Sequence, residues 1–183
     1  SNTSVATISA KETASVTDFS LVVSQLAKTQ SAASEKMTTG QAVGEGTLKL
    51  RLGTWDAVPA FAPSTSADVD ISVSADDTVT SIADKINAAN AGVSATVFND
   101  GTSERLLLRS ANTGAVSGFR LQAFDTLGGA LTGGADLSRL AFDPESGAFG
   151  MAGAGAGVVQ YAQDAKASID GYDVTSGSNT LEG

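Results

Sequence analysis

Residues 69–114 read VDISVSADDTVTSIADKINAANAGVSATVFNDGTSERLLLRSANTG, and this stretch decides the fold. It opens with apolar and polar residues in alternation, which is typical of a strand with one buried face (Val69, Ile71, Val73). The next apolar residues recur at helical spacing and predict a helix from Thr78 to Ala89, capped by Asp76 or Asp77. Its predicted buried face consists of Val79, Ile82, Ala83 and Ile86.

Gly92 is the predicted end of the helix, and a hairpin follows it. Alternation returns in residues 93–97, and Leu106 and Leu108 open a return strand. Between the two strands lies Asn99-Asp100-Gly101, whose residues tolerate the positive φ that tight hairpin turns need. The stretch therefore predicts strand, helix, strand, hairpin turn and strand.

The flanking segments predict a mostly β (β-rich α+β) chain with this one short helix. Alternating residues indicate strands at 48–52, 119–123 and 19–23, and a C-terminal hairpin around Asp170-Gly171. Residues 27–39 offer almost no apolar stripe and are predicted to form an irregular connector. A single helical turn is predicted at Leu137 and Leu140, before Pro144.

Two Gly-rich stretches, 40–46 and 147–157, mark predicted domain boundaries, because such segments have little side-chain area to bury. The sequence predicts two small domains, one inserted into the other. Residues 44–157 form the inserted β-rich domain with the helix. Residues 1–43 together with 158–183 form a discontinuous host β domain.

Composition excludes several classes of function. The chain has 183 residues, no His and no Cys, so Ser-His-Asp triads and thiolate chemistry are impossible. The net charge of −9 argues against nucleic-acid and anionic membrane partners. Asp76-Asp77 is read as a helix cap rather than an acid–base pair, and residues 150–157 as a linker rather than a phosphate loop. We therefore predict a protein that is not an enzyme, with no catalytic, cofactor or metal site.

Residues 54–67 are predicted to form a loop that holds Trp55 and Phe61. Two interpretations of this aromatic pair remain open. The rings form an exposed contact patch for a partner, or they fold back and cover the edge of the core.

The motif unit also resembles a known family. Residues 77–89, DTVTSIADKINAA, resemble the IN motif of bacterial flagellar proteins, in which a short helix ends in Ile-Asn. Residues 92–97, GVSATV, are similar to the strand that follows, and residues 107–114, LLRSANTG, to the next strand and turn.

Three further stretches are similar to flagellar filament-capping proteins, a family also called hook-associated protein 2. They are FSLVVSQLAKTQ at 19–30, AQDAKASIDG at 162–171 and SNT at 178–180. The motifs occur in the family's order over nearly the whole chain. Because family members carry long terminal helical segments, the resemblance identifies the chain as a fragment, the outer domains of the cap.

The resemblance implies a structural role at the tip of the bacterial flagellum, where a ring of subunits guides flagellin assembly. The implied partners are other cap subunits and flagellin. The implied location is extracellular, reached by export without a cleavable signal peptide. The fragment alone is expected to be monomeric. The alternatives are an outer domain of flagellin or of a hook-filament junction protein, or an adhesin module that binds host mucin or glycan.

Overall fold

Antiparallel pairing joins the strands of the computed structural model, which describes residues 7, 9, 18–57, 60–147, 150–151 and 159–181. Within these residues the elements are β1 (Leu21–Gln25), β2 (Ser31–Ala33), β3 (Met37–Thr38), β4 (Gly46–Ala57), β5 (Ala60–Pro63), β6 (Val69–Val73), α1 (Val79–Ala88), β7 (Val93–Asn99), β8 (Ser103–Ser110), β9 (Gly118–Phe124), β10 (Ala130–Leu131), β11 (Ala165–Ile169) and β12 (Tyr172–Ser176). Short 3-10 turns lie at Ala115–Ser117 and Asp136–Leu140. The predicted mostly β fold with one short helix is confirmed.

The described strands form three sheets. In the largest, the long strand β4 pairs with β9 along one edge and with β6 and then β5 along the other. The short strand β10 pairs with the other edge of β9. In the second, β8 is central, with β7 on one edge and the short strands β2 and β3 on the other. The third sheet has the order β1-β11-β12. One apolar core joins the first two sheets and α1.

The motif unit folds as its periodicity predicts. Helix α1 buries Val79, Ile82, Ala83 and Ile86, and the hairpin of β7 and β8 turns through Gly101 at positive φ. Leu106 and Leu108 are buried on the face that carries Val93 and Ala95. The expected single turn near Leu137 is present as the 3-10 turn.

The helix cap differs from the expectation, because Thr78 is the N-cap rather than Asp76 or Asp77. Thr78 and Ser81 form a capping box, in which each side chain bonds the other's backbone N–H. Asp77 instead accepts hydrogen bonds from Lys85, the Ser74 amide and Ser81. These hydrogen bonds lower the pKa of Asp77 to about 2, and the bond from Lys85 has the largest effect.

Two segments without predicted strands are strands in the structure. β4 runs on through Trp55, and its hairpin with β5 replaces the loop predicted for residues 54–67. In the connector predicted for residues 27–39, β2 and β3 pair with β8. The segment shows no apolar stripe because the buried residues of these short strands, Ala32 and Met37, are joined by buried polar side chains, Gln30 and Ser34, on either side of β2.

The division into host and inserted domains stays a prediction, since Val158 and most of residues 147–157 lie outside the described residues. Two connecting segments nevertheless run side by side between the third sheet and the rest of the chain. Backbone hydrogen bonds join Lys28 to Gln163 and Ser31 to Gln160, with N to O distances between 2.9 and 3.2 Å.

Replacing Asp70 with Asn should change the free energy of unfolding by less than about 0.5 kcal/mol, as at an ordinary surface site. Strand β6 turns Ile71 and Val73 into the core and leaves Asp70 exposed, 3.0 Å from Lys49 Nζ. An exposed ion pair of this kind contributes little stability. Urea unfolding of both proteins measures the difference, and a loss of several kcal/mol would contradict this assignment.

Candidate interaction surfaces

The described residues offer little that resembles an enzyme site. Among them, no three or more Asp and Glu side chains are grouped so as to hold a metal ion. Two open depressions, of about 230 and 290 Å³, lie at the Gly-rich loops near Arg139 and at the end of α1 near Asn90. The described part of the chain also contains no helix long and apolar enough to cross a membrane. The expected absence of catalytic, cofactor and metal sites stays a prediction.

Trp55 and Phe61 are buried, so the exposed-patch interpretation of this pair is wrong. Their ring centroids lie 4.7 Å apart. Phe142 and Tyr161 pack edge-on against Trp55 at 5.7 and 6.0 Å. The indole N–H donates to the carbonyl oxygen of Phe119 at 3.1 Å. The aromatic pair therefore closes one side of the core, because the β4–β5 hairpin folds over it.

Gln30 supplies a hydrogen-bonding partner for β9 at Phe119, a point on its edge where no described strand pairs with it. Its side-chain oxygen accepts from the Phe119 amide at 3.0 Å, and its side-chain nitrogen donates to the Phe119 carbonyl at 2.8 Å. Further along the same edge of β9, Phe142 pairs with Leu121, and β10 pairs with Ala123. Gln30, which is fully buried, therefore links the segment before β2 to the largest sheet.

Asn87, the Asn of the IN motif, has the same role at the edge of β7. Its side-chain oxygen accepts from the Ala95 amide, and its side-chain nitrogen donates to the Ala95 carbonyl, both at 2.8 Å. The side chain thereby fixes the end of α1 to the strand that follows. It also blocks part of an exposed strand edge, which would otherwise be free to pair with another chain. Sequence reasoning found the motif but not this role.

Replacing Asn87 with Ala should lower the free energy of unfolding by about 1–2 kcal/mol, because two hydrogen bonds to one strand residue are lost. Asn87→Asp should cost a similar amount, because the carboxylate keeps the acceptor but faces the Ala95 carbonyl without a donor. Urea unfolding followed by circular dichroism measures both losses. Asn112→Ala, at an exposed position, is the control and should change the free energy of unfolding little. A loss for Asn87→Ala no larger than that of the control would contradict the role of Asn87.

The third sheet exposes an apolar face, here called the open face, formed by Leu21, Val23, Ile169, Tyr172 and Val174. Strand register places these side chains on one side, since Leu21 pairs with Ile169 and Ile169 with Tyr172. All five are at least partly exposed, and Tyr172 is 79% exposed. A three-stranded sheet usually needs a covered apolar face for stability. The open face is therefore a candidate contact surface.

Comparisons with known proteins give a consistent result. Residues 62–112 match the family described as the flagellin hook IN motif. The chain is 29% identical, over 99% of its length, to B-type flagellar hook-associated protein 2 of Pseudomonas aeruginosa, and it spans 36% of that protein. The chain thus covers little more than a third of this curated relative.

Solved structures agree in fold. The crystal structure of FliD (HAP2) from Pseudomonas aeruginosa PAO1 has a TM-score of 0.66 and 28% identity, covering 94% of this chain and 72% of that one. The D2-D3 domains of the flagellar cap protein FliD from Escherichia coli have a TM-score of 0.64 and 23% identity, covering 90% of this chain and 75% of that one. The resemblance recognised in the motifs is confirmed over nearly the whole chain.

Proposed function

We propose that this chain, which is similar to flagellar hook-associated protein 2, forms the outer domains of a cap at the tip of a bacterial flagellar filament. The observation that carries the proposal is the match to that protein over 99% of the chain. The match to FliD in structure, with a TM-score of 0.66, supports it. The role is structural: the domains would hold the cap in shape while flagellin subunits are added, and no catalysis is involved.

The proposed partners are other cap subunits and flagellin, and the proposed location is extracellular, at the filament tip, reached without a cleavable signal peptide. The IN motif match covers only residues 62–112 and is compatible with other flagellar proteins. Similarity that extends over both flanks favours the cap over flagellin or a junction protein. The comparisons offer no support for the mucin-binding or glycan-binding alternative.

The two-domain organisation is part of this proposal. We place the crossing between the domains at residues 27–31 and 160–163, where the two connecting segments are hydrogen-bonded to each other. β2 and β3 then belong with the motif unit, because they pair with β8. This moves the predicted boundary from residue 43 toward Ala27.

In the parent protein the open face would be covered by further residues of the same two-domain unit. About a quarter of the D2-D3 structure from Escherichia coli has no counterpart in this chain, which covers 75% of it. Five apolar side chains on one side of three strands form the kind of patch that such a segment would bury. The host domain is therefore proposed to be larger than the three strands described.

Immunogold electron microscopy tests the function directly. Antibodies raised against this chain should label the tips of flagellar filaments on the bacterium that makes the parent protein. Label along the whole filament would indicate flagellin instead, and label at the hook would indicate a junction protein. Either pattern would overturn the proposal.

The isolated chain should be mainly monomeric at micromolar concentration. Its net charge of −9 opposes association, and the family's oligomers are expected to depend on terminal helical segments. Static light scattering measures the mass. A stable tetramer, pentamer or hexamer would show that these residues carry ring assembly by themselves.

A further inference from the structure

A contact beside the two connecting segments also holds the third sheet against the motif unit. It joins the turn that follows β8, residues 113–115, to Asp164, which precedes β11, and to Gly177, which follows β12. We call this contact, formed by residues 113–115 with Asp164 and Gly177, the joint. It brings together three parts of the chain that are far apart in sequence.

Two hydrogen bonds from or to side chains cross the joint. Asp164 Oδ1 accepts from the Ala115 amide at 2.7 Å, and Thr113 Oγ1 donates to the Gly177 carbonyl at 2.8 Å. A carboxylate acceptor makes a stronger hydrogen bond than a neutral one. The backbone of Asp164 is itself held, because its carbonyl accepts from the side-chain nitrogen of Gln25 at 2.7 Å. The carboxylate therefore links the turn after β8 to β1 as well as to β11.

Between these hydrogen bonds, backbone packs directly on backbone. Gly114 is buried, with φ of 96°, a value that glycine adopts far more readily than other residues. A β-carbon added to it would lie 2.7 Å from the Gly177 carbonyl oxygen and 2.8 Å from the Gly177 Cα. The Gly114 amide also donates to the Lys28 carbonyl at 3.2 Å, in the first connecting segment. No side-chain torsion is available there to absorb a rotation, so the two units turn only by breaking this contact.

Four of the stretches that resemble flagellar proteins meet at or beside the joint. They are residues 19–30, 107–114, 162–171 and 178–180. Two of them supply Thr113, Gly114 and Asp164. The other two are joined by Asn179, whose side-chain oxygen accepts from the Ala27 amide at 2.7 Å and whose side-chain nitrogen donates to the Ala27 carbonyl at 3.1 Å. One three-dimensional arrangement thus accounts for four separate sequence motifs.

We propose that the joint fixes the angle between the third sheet and the motif unit, with Asp164 as a positioning residue. Domains with a small shared interface ordinarily move relative to each other, and two antiparallel segments alone are only marginally stable and vary in twist. The joint adds an attachment from a third part of the chain, which opposes rotation about the connecting segments. The inference rests on the proposed two-domain organisation and deepens the proposed function, since a fixed angle gives every cap subunit the same shape.

Double electron–electron resonance on the full chain tests the joint. Because the sequence contains no Cys, spin labels attach only to introduced cysteines. Asp84→Cys in α1 and Asp173→Cys in β12, both exposed, place one label on each side of the joint. Asp84→Cys with Thr96→Cys, also exposed, is the reference pair inside the motif unit. In the otherwise unchanged chain, the distance distribution across the joint should be as narrow as that of the reference pair.

Substitutions at the joint are then added to both label pairs. Asp164→Ala with Thr113→Val removes the two side-chain hydrogen bonds and keeps both glycines. The distribution across the joint should become at least about twofold wider, as for domains free to move, while the reference pair stays unchanged. Asp164→Asn keeps an acceptor oxygen and should keep the narrow distribution. Asp76→Ala, which removes an exposed carboxylate from the motif unit, is the matched control and should change neither pair.

Three results would overturn the proposal. A distribution across the unsubstituted joint about twice as wide as the reference would show that the angle is not fixed, independently of every variant. A double variant as narrow as the wild type would show that the connecting segments set the angle by themselves. Broadening by Asp164→Asn equal to that of the double variant would show that Asp164 does not act as a hydrogen-bond acceptor.

The reference pair also detects a loss of folding, because it broadens only when the motif unit itself is disrupted. If the double variant broadens both pairs, Asp164→Ala alone takes its place, with the same expected broadening across the joint only. Tip labelling by immunogold does not depend on the angle between the units. A failed joint and a failed cap assignment are therefore distinguishable.

Discussion

Replacing Gln30 with Ala is expected to lower the free energy of unfolding by about 3 kcal/mol or more, since it removes buried hydrogen bonds and leaves a cavity. Gln30 is fully buried, and both ends of its amide bond the backbone of Phe119. Without it the Phe119 N–H has no acceptor along the β9 edge, while the carbonyl keeps the Trp55 donor. Chemical unfolding in urea measures the loss.

A second variant separates the hydrogen bonds from the packing. Gln30→Met is close in size, so its loss of about 1–3 kcal/mol should report chiefly the unsatisfied amide. Gln163→Ala is the control, because that side chain makes one hydrogen bond, to the Leu26 carbonyl, at the surface. Equal small losses for Gln30→Ala and Gln163→Ala would show that the bond to Phe119 does not stabilise the fold.

Replacing Ile86 with Ala should cost roughly 2–5 kcal/mol, the range for large-to-small changes in a core. Ile86 lies on the buried face of α1 with Ile82, and the helix packs on β7, β8 and β6. The adjacent Asn87 bonds to Ala95 and holds the helix end in place, so the vacated volume cannot collapse freely.

Leu127→Ala is the control for Ile86→Ala, because Leu127 is 95% exposed and should change stability by less than about 0.5 kcal/mol. Thermal and urea unfolding should rank the two variants alike. A loss below about 1 kcal/mol for Ile86→Ala would mean that the apolar stripe of α1 contributes much less than its burial indicates.

Gln30 and Asn87 each cover part of a strand edge with a side-chain amide. Each amide bonds the N–H and the C=O of one strand residue, as a neighbouring strand would. Edges covered in this way cannot add a strand from another chain at that point.

The sequence by itself determined the motif unit, because its signals are local. Alternation in residues 69–73, helical spacing in residues 79–86 and the Asn99-Asp100-Gly101 turn each depend on neighbours a few residues away. The same holds for the C-terminal hairpin, whose turn is Asp170-Gly171. The order of the motifs along the chain was enough to indicate the family it resembles.

Only the tertiary structure decided what lies in contact over long separations. Gln30 and Phe119 are 89 residues apart, and no periodicity marks a glutamine whose hydrogen bonds are satisfied inside a core. β2 and β3 lack an apolar pattern and are fixed by β8. Trp55 and Phe61 are suited equally to a contact patch or a core, and the β4–β5 hairpin buried them against Phe142. In each case the deciding partner is distant in sequence, and a local pattern carries no information about it.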